Sequence, residues 1–119
     1  MDFEQYSKKA HSTAIYPKII VLRKDGTKKD ISWVYPILGL VGEIGEIANK
    51  LKKVIRDNNF VLTNQMKEDL EEELGDAFWY FAETIFALKM NSHKIMKNNN
   101  KKLASRKKRG KIIGKGDKR

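Results

Sequence analysis

Cysteine is missing from the 119-residue chain, which excludes disulfide staples and cysteine-ligated zinc and fits a reducing compartment. Histidine is nearly missing too: His11 and His93 stand alone, with no zinc-like spacing, and neither is assigned any chemistry. No apolar run reaches the roughly 18 to 20 residues of a membrane span. The start Met1-Asp2-Phe3-Glu4 lacks the basic beginning and apolar core of a signal peptide. A soluble, cytoplasmic protein is therefore expected. No Gly-x-x-x-x-Gly-Lys-Ser/Thr loop is present, so phosphate is not gripped in the P-loop manner. The length allows one domain with a core of its own and is too short for two.

What the chain does have is positive charge, and all of the excess lies at one end. The formal net charge is +10. Residues 97–119 hold eleven Lys or Arg and a single acid, Asp117, while residues 1–96 balance fourteen basic against fourteen acidic residues. Such a tail serves as a nucleic-acid arm, as a solvated charge run, or as a set of cations held near a polyphosphate.

Apolar periodicity supplies the elements. Phe3, Tyr6, Ala10 and Ala14 suggest a short amphipathic helix, stopped by Tyr16-Pro17. Ile19-Ile20-Val21-Leu22 followed by Lys24-Asp25-Gly26-Thr27 reads as a small hairpin or an ordered loop near residues 18–31. From about Ser32, Val34, Ile37, Leu38, Val41, Ile44, Ala48, Leu51 and Ile55 mark a long helix that ends at Asp57-Asn58-Asn59. Pro36 is tolerated in its first turn. A third helix is expected from about Asn64 to Met90, with a core face of Leu70, Leu74, Ala77, Phe78, Phe81, Ile85 and Leu88. A fourth runs from His93 to about Lys108 and closes at Arg109-Gly110. The short connection between the two long helices implies antiparallel neighbours. The expected class is all-α, a four-helix bundle with that possible hairpin.

Chemistry concentrates between residues 39 and 80. Glu43 and Glu46 lie three apart, as do Glu73 and Asp76, so each pair shares a helix face. Four carboxylates brought together by antiparallel packing repel one another unless a cation sits among them. Magnesium, which takes oxygen ligands and keeps waters and phosphates in its shell, is the economical choice. The alternative is a solvated face paired with Lys50, Lys53 and Lys67, each pair worth about 0 to 1 kcal/mol. Gly45 and Gly75, mid-helix beside the acids, suggest close approach of backbone or ligand. Trp79, Phe78 and Phe81 read as core, whereas Tyr80 shares a stripe with Asp76 and is placed to reach a ligand.

Leu38-Gly39-Leu40-Val41-Gly42-Glu43-Ile44-Gly45-Glu46, then Lys52-Lys53-Val54-Ile55-Arg56-Asp57, then Glu72-Glu73-Leu74-Gly75-Asp76-Ala77-Phe78-Trp79-Tyr80 resemble the MazG-like nucleotide pyrophosphohydrolases. Their signature is Glu-Glu-x-x-Glu followed downstream by Glu-x-x-Asp. Gly42 replaces its first acid. The tail is similar as well, in Asn99-x-x-Lys102-Leu103-x-x-Arg106 and in the Gly-x-Gly-Asp-x-Arg ending at Gly114 to Arg119.

The resemblance covers nearly the whole chain and implies one domain over 1–119, with a basic tail at about 109–119. It resembles most the short, single-domain, phage-type branch, which would place it in the host cytoplasm. The implied activity is cleavage of nucleoside triphosphates between the α and β phosphates, giving the monophosphate and pyrophosphate in nucleotide pool control. On that reading Glu43, Glu46, Glu73 and Asp76 hold Mg²⁺, with Mn²⁺ as a possible substitute. Glu72, or one of the four, takes the proton of the attacking water. Lys53, Arg56, Lys102, Arg106 and Arg119 contact phosphates, Asn99 bonds sugar or phosphate, and Tyr80 packs near the sugar or base. A homodimer, or a tetramer built as a dimer of dimers, is implied. Two rivals remain: a basic helical protein that binds nucleic acid through its tail, and a catalytically silent interaction module. Nucleic acid and membrane are not expected partners.

Overall fold

The computed structural model describes all 119 residues. Four helices and one hairpin follow in order: α1 (Phe3–His11), β1 (Ile20–Leu22), β2 (Lys28–Asp30), α2 (Val34–Asp57), α3 (Asn64–Ala87) and α4 (Ser92–Lys108). The fold is therefore mostly α rather than purely α. No helix is long and apolar enough to cross a membrane. The chain divides into two compact units, Met1–Lys89 and Met90–Arg119.

In the first unit the starts of α1 and α3 have local causes. Asp2 caps α1 in a reciprocal box with Gln5, so two otherwise orphaned N–H groups are satisfied. The helix ends at His11, earlier than the apolar spacing through Ala14 suggests, because the Ser12 and Thr13 hydroxyls bond the carbonyls of Lys9 and Ala10. Thr63 accepts from the Met66 N–H and starts α3. The hairpin pairs Ile20 with Asp30 and Leu22 with Lys28, and Gly26 supplies the positive φ its turn requires. All six strand residues are exposed.

Helices α2 and α3 run antiparallel, as their partners show. Gly39 meets Tyr80, Lys50 bonds Glu73, and Val54 shares a hollow with Met66 and Leu70. Helix α1 and the residues just after it lie along α3. Phe3 meets the edges of Phe78 and Phe81, Tyr6 lies against Phe78, and the Trp79 indole N–H reaches the Thr13 hydroxyl at 2.9 Å and the Ala10 carbonyl at 3.2 Å.

The core is smaller than the apolar pattern suggests. Ala10, Pro36, Val54, Ala77, Ala82 and Ile85 are buried, with Glu83 among them. Of the expected core face, Leu38, Val41, Ile44, Leu74, Phe78 and Phe81 are all exposed, from 42% for Phe81 to 65% for Val41. The reason is that α2 and α3 are apolar around more than one stripe, and one helix pair can cover only one of them. The expectation for the glycines also changes. A Cβ at Gly45 or Gly75 would meet nothing within 4 Å. The close approach is at Gly39, where a Cβ would lie 2.2 Å from the Tyr80 ring.

In the second unit Asn91 caps α4 by accepting from the Lys94 N–H. Gly110 takes a positive φ just beyond Arg109. The residues after it fold back through their own arginines. Arg119 donates to the carbonyls of Lys111, Ile112 and Gly116, and Arg109 donates to the Arg119 carbonyl.

Candidate active site

The middle of α2 and the middle of α3 face each other with acids. Carboxylate oxygens of Glu43, Glu73 and Asp76 lie within 4.8 Å of one another. Antiparallel packing and the three-residue step from Glu73 to Asp76 produce this directly, since both project from one face of α3 towards one turn of α2. Glu46 stands one turn further along α2, exposed and outside this trio, though its charge still reaches Glu43. Glu72 is exposed on α3.

The electrostatics are those of crowded anions. Burial pushes the Glu43 carboxyl above its ordinary range, and the charges of Asp76, Glu73 and Glu46 push it further the same way. The cation in direct contact is Lys50, whose Nζ lies 3.2 Å from Glu73 Oε1. Three hard oxygen donors with a net negative field suit Mg²⁺, which takes one or two carboxylates directly and fills its remaining positions with water and phosphate oxygens.

Beside the acids is an open cleft of about 410 Å³ lined by Thr13, Glu43, Asp76, Trp79 and Tyr80. A second hollow of about 270 Å³ shares Thr13, Trp79 and Tyr80 with it and adds Tyr16 and Tyr35. The Tyr80 phenol is held above its usual range by burial, then by Tyr35, Glu43 and Asp76. Trp79, expected in the core, is instead a wall of both spaces, because its indole N–H needs a partner and finds Thr13 at the cleft edge.

The expected phosphate contacts lie in several places. Lys53 lines a separate hollow of about 190 Å³ with Lys50, Val54, Met66, Asp69 and Leu70. Arg56 is forked onto its neighbour Asp57 by two bonds of 2.7 Å. Asn99, Lys102, Arg106 and Arg119 belong to the second unit. There Asp117 gathers the Lys102 ammonium at 3.0 Å and the Arg106 guanidinium at 3.3 Å, and its own carboxyl is drawn below the usual range, first by Lys102 and then by Arg106. Arg106 also donates to the Asp117 carbonyl, and its buried Nε has no partner. Asn99 is exposed on α4.

Three residues escaped the sequence reading. Glu83 is 1% exposed and accepts from the Tyr16 hydroxyl at 2.7 Å, while His11 Nδ1 lies 3.1 Å from each of its oxygens. The only signal was that Glu83 continues the polar stripe of Asp76 and Tyr80 into an apolar stretch.

Fold and site together define a helical protein with a carboxylate centre suited to a hard divalent cation. A family model for the MazG nucleotide pyrophosphohydrolase domain matches residues 36–110, which take in the acids, α2 from Pro36 on, α3 and α4, and the chain belongs to that family. It is 42% identical over 120 residues to the Gene 37 protein of Mycobacterium phage L5, and the match covers the whole of both chains. No solved structure gave a significant match.

Proposed function

We propose that this chain is a Mg²⁺-dependent nucleoside triphosphate pyrophosphohydrolase that cleaves between the α and β phosphates. The observation that carries the reading is the trio Glu43, Glu73 and Asp76, of which Glu43 and Asp76 line a cleft together with Trp79 and Tyr80. Glu43, Glu73 and Asp76 would hold the ion, with Glu46 joining them directly or through water. When bound, Mg²⁺ supplies charge neutralisation at the phosphate oxygens and acidifies a coordinated water. Glu72, or whichever of the four acids is least engaged, accepts the water's proton. Lys50, bonded to Glu73 at 3.2 Å, would become available to phosphate if that carboxylate served as a ligand. Lys53, Arg56, Asn99, Lys102, Arg106 and Arg119 are the proposed phosphate and sugar donors, from their match to the family pattern. Tyr80, held against Gly39, would pack near the sugar or base.

The whole chain acts as one domain in this reading, supported by a family match that runs across the division at Lys89. The second copy implied by the family resemblance would cover the exposed apolar stripe of α2 and α3.

The deciding experiment is a panel of nucleoside triphosphates with Mg²⁺, scored for pyrophosphate against orthophosphate. Pyrophosphate with the monophosphate is expected, and orthophosphate as first product rejects the cleavage position. Nucleic-acid binding that survives Mg²⁺ removal and weakens steeply with salt, without any turnover, would favour the tail-binding reading.

A further inference from the structure

Glu83 has no task in the hydrolysis just described. It lies on α3, two helical turns beyond Asp76, and its side chain is 1% exposed. Taking a carboxylate out of water is costly, and a buried polar cluster is weak support for stability. What this cluster does is fix geometry. The Tyr16 hydroxyl donates to Glu83 Oε1 at 2.7 Å. His11 Nδ1 sits 3.1 Å from both oxygens, and since a carboxylate only accepts, that nitrogen carries the proton. The His11 ring is itself pinned by stacking on Phe86 at 3.7 Å.

The consequence is felt at the other end of Tyr16. Its ring lies parallel to Tyr35, with centroids 5.0 Å apart and planes 7° from each other. These two rings line the 270 Å³ hollow, which shares Thr13, Trp79 and Tyr80 with the cleft that holds Glu43 and Asp76. Burial and the adjoining Glu83 push the Tyr16 phenol far up, so it stays a hydrogen-bond donor at any working pH. The Trp79 indole is likewise tied, to Thr13 and Ala10. Tyr16 and Trp79 are therefore each held by hydrogen bonds at the polar end while both line the same hollow. Pre-set aromatic faces bind a planar heteroaromatic ring without an ordering cost and tolerate its identity.

We propose that Glu83 is a positioning residue which, through Tyr16, sets the aromatic wall that receives the planar base of the nucleotide. This rests on the reading that the acids act on a nucleoside triphosphate. It adds where the base goes and what holds that place in shape.

The test uses full-length protein carrying Trp33→Phe, so that Trp79 is the sole tryptophan of the two in the chain. Nucleoside monophosphates are titrated without metal and Trp79 fluorescence is followed, with ribose 5-phosphate as the probe lacking a base. The monophosphates are expected to quench, and ribose 5-phosphate is not. Tyr16→Phe and Glu83→Gln are expected to weaken the quenching affinity about tenfold, as loss of one buried hydrogen bond does. In the unmutated tryptophan background, the same changes raise KM for the triphosphate with kcat little altered, a split that general loosening of the fold would not give. Tyr35→Leu, which removes one ring of the wall and leaves the Tyr16 and His11 bonds to Glu83 in place, keeps the test open should the Glu83 variant fail to fold, and is expected to weaken quenching too. Equal quenching by ribose 5-phosphate, or full monophosphate affinity in folded Tyr16→Phe and Tyr35→Leu, overturns the proposal. Absence of pyrophosphate release from wild-type protein instead overturns the acid-site reading, because quenching needs neither metal nor turnover.

Discussion

Glu43 lies close to both Asp76 and Glu73, with burial as the larger reason its carboxyl holds a proton more tightly than usual. A folded-state acid with a raised pKa binds more protons than the unfolded chain does. Metal-free stability should therefore fall as pH climbs from about 4.5, the group's ordinary value, through its raised one, and level off above. Thermal denaturation against pH in a chelator should show that fall, and added Mg²⁺ should restore the lost stability near neutral pH. Glu43→Gln or Asp76→Asn should cut pyrophosphate release by more than the roughly 10–100-fold typical of residues that merely orient a ligand. The fold should persist, as read by far-UV circular dichroism. Gly39→Ala tests a different residue-scale claim. A methyl group there drives into the Tyr80 ring, so a loss of about 1–3 kcal/mol is expected in urea denaturation, together with a raised KM.

Helices α2 and α3 carry the site because their register, not their composition, brings Glu43 opposite Glu73 and Asp76. That register depends on the six-residue connection 58–63 and on the start of α3, where the Thr63 hydroxyl accepts from Met66 N–H at 3.2 Å. Thr63→Ala should cost about 1 kcal/mol, measured by chemical denaturation. Helix existence, the close of α4 and the hairpin were legible, since each rests on neighbours within a few residues. Gly110 just beyond α4 is an example. The extent of α1 was less legible, because Ser12 and Thr13 turn their hydroxyls back on the helix and end it before Ala14.

For the whole molecule, the exposed apolar side chains of α2 and α3, among them Leu38, Val41, Ile44, Leu74, Phe78 and Phe81, are the feature a second copy would answer, since large uncovered apolar surfaces mark sites of association. The proposed dimer predicts that wild-type protein sediments as at least a dimer and that Ile44→Glu shifts it towards monomer. A monomeric wild type at tens of micromolar would remove the dimer from the proposal.

The sequence alone determined the helices, the pairing of acids on two of them and the family, because acid spacing, capping and apolar period are local properties of the chain. Only the tertiary structure decided that Glu43, Glu73 and Asp76 meet while Glu46 stands apart. It also decided that Gly39 rather than Gly45 is the tight point, and that Glu83, His11 and Tyr16 form one cluster. Those facts depend on how one helix is rotated against another and on contacts between residues up to 72 apart. Periodicity carries no record of such rotations.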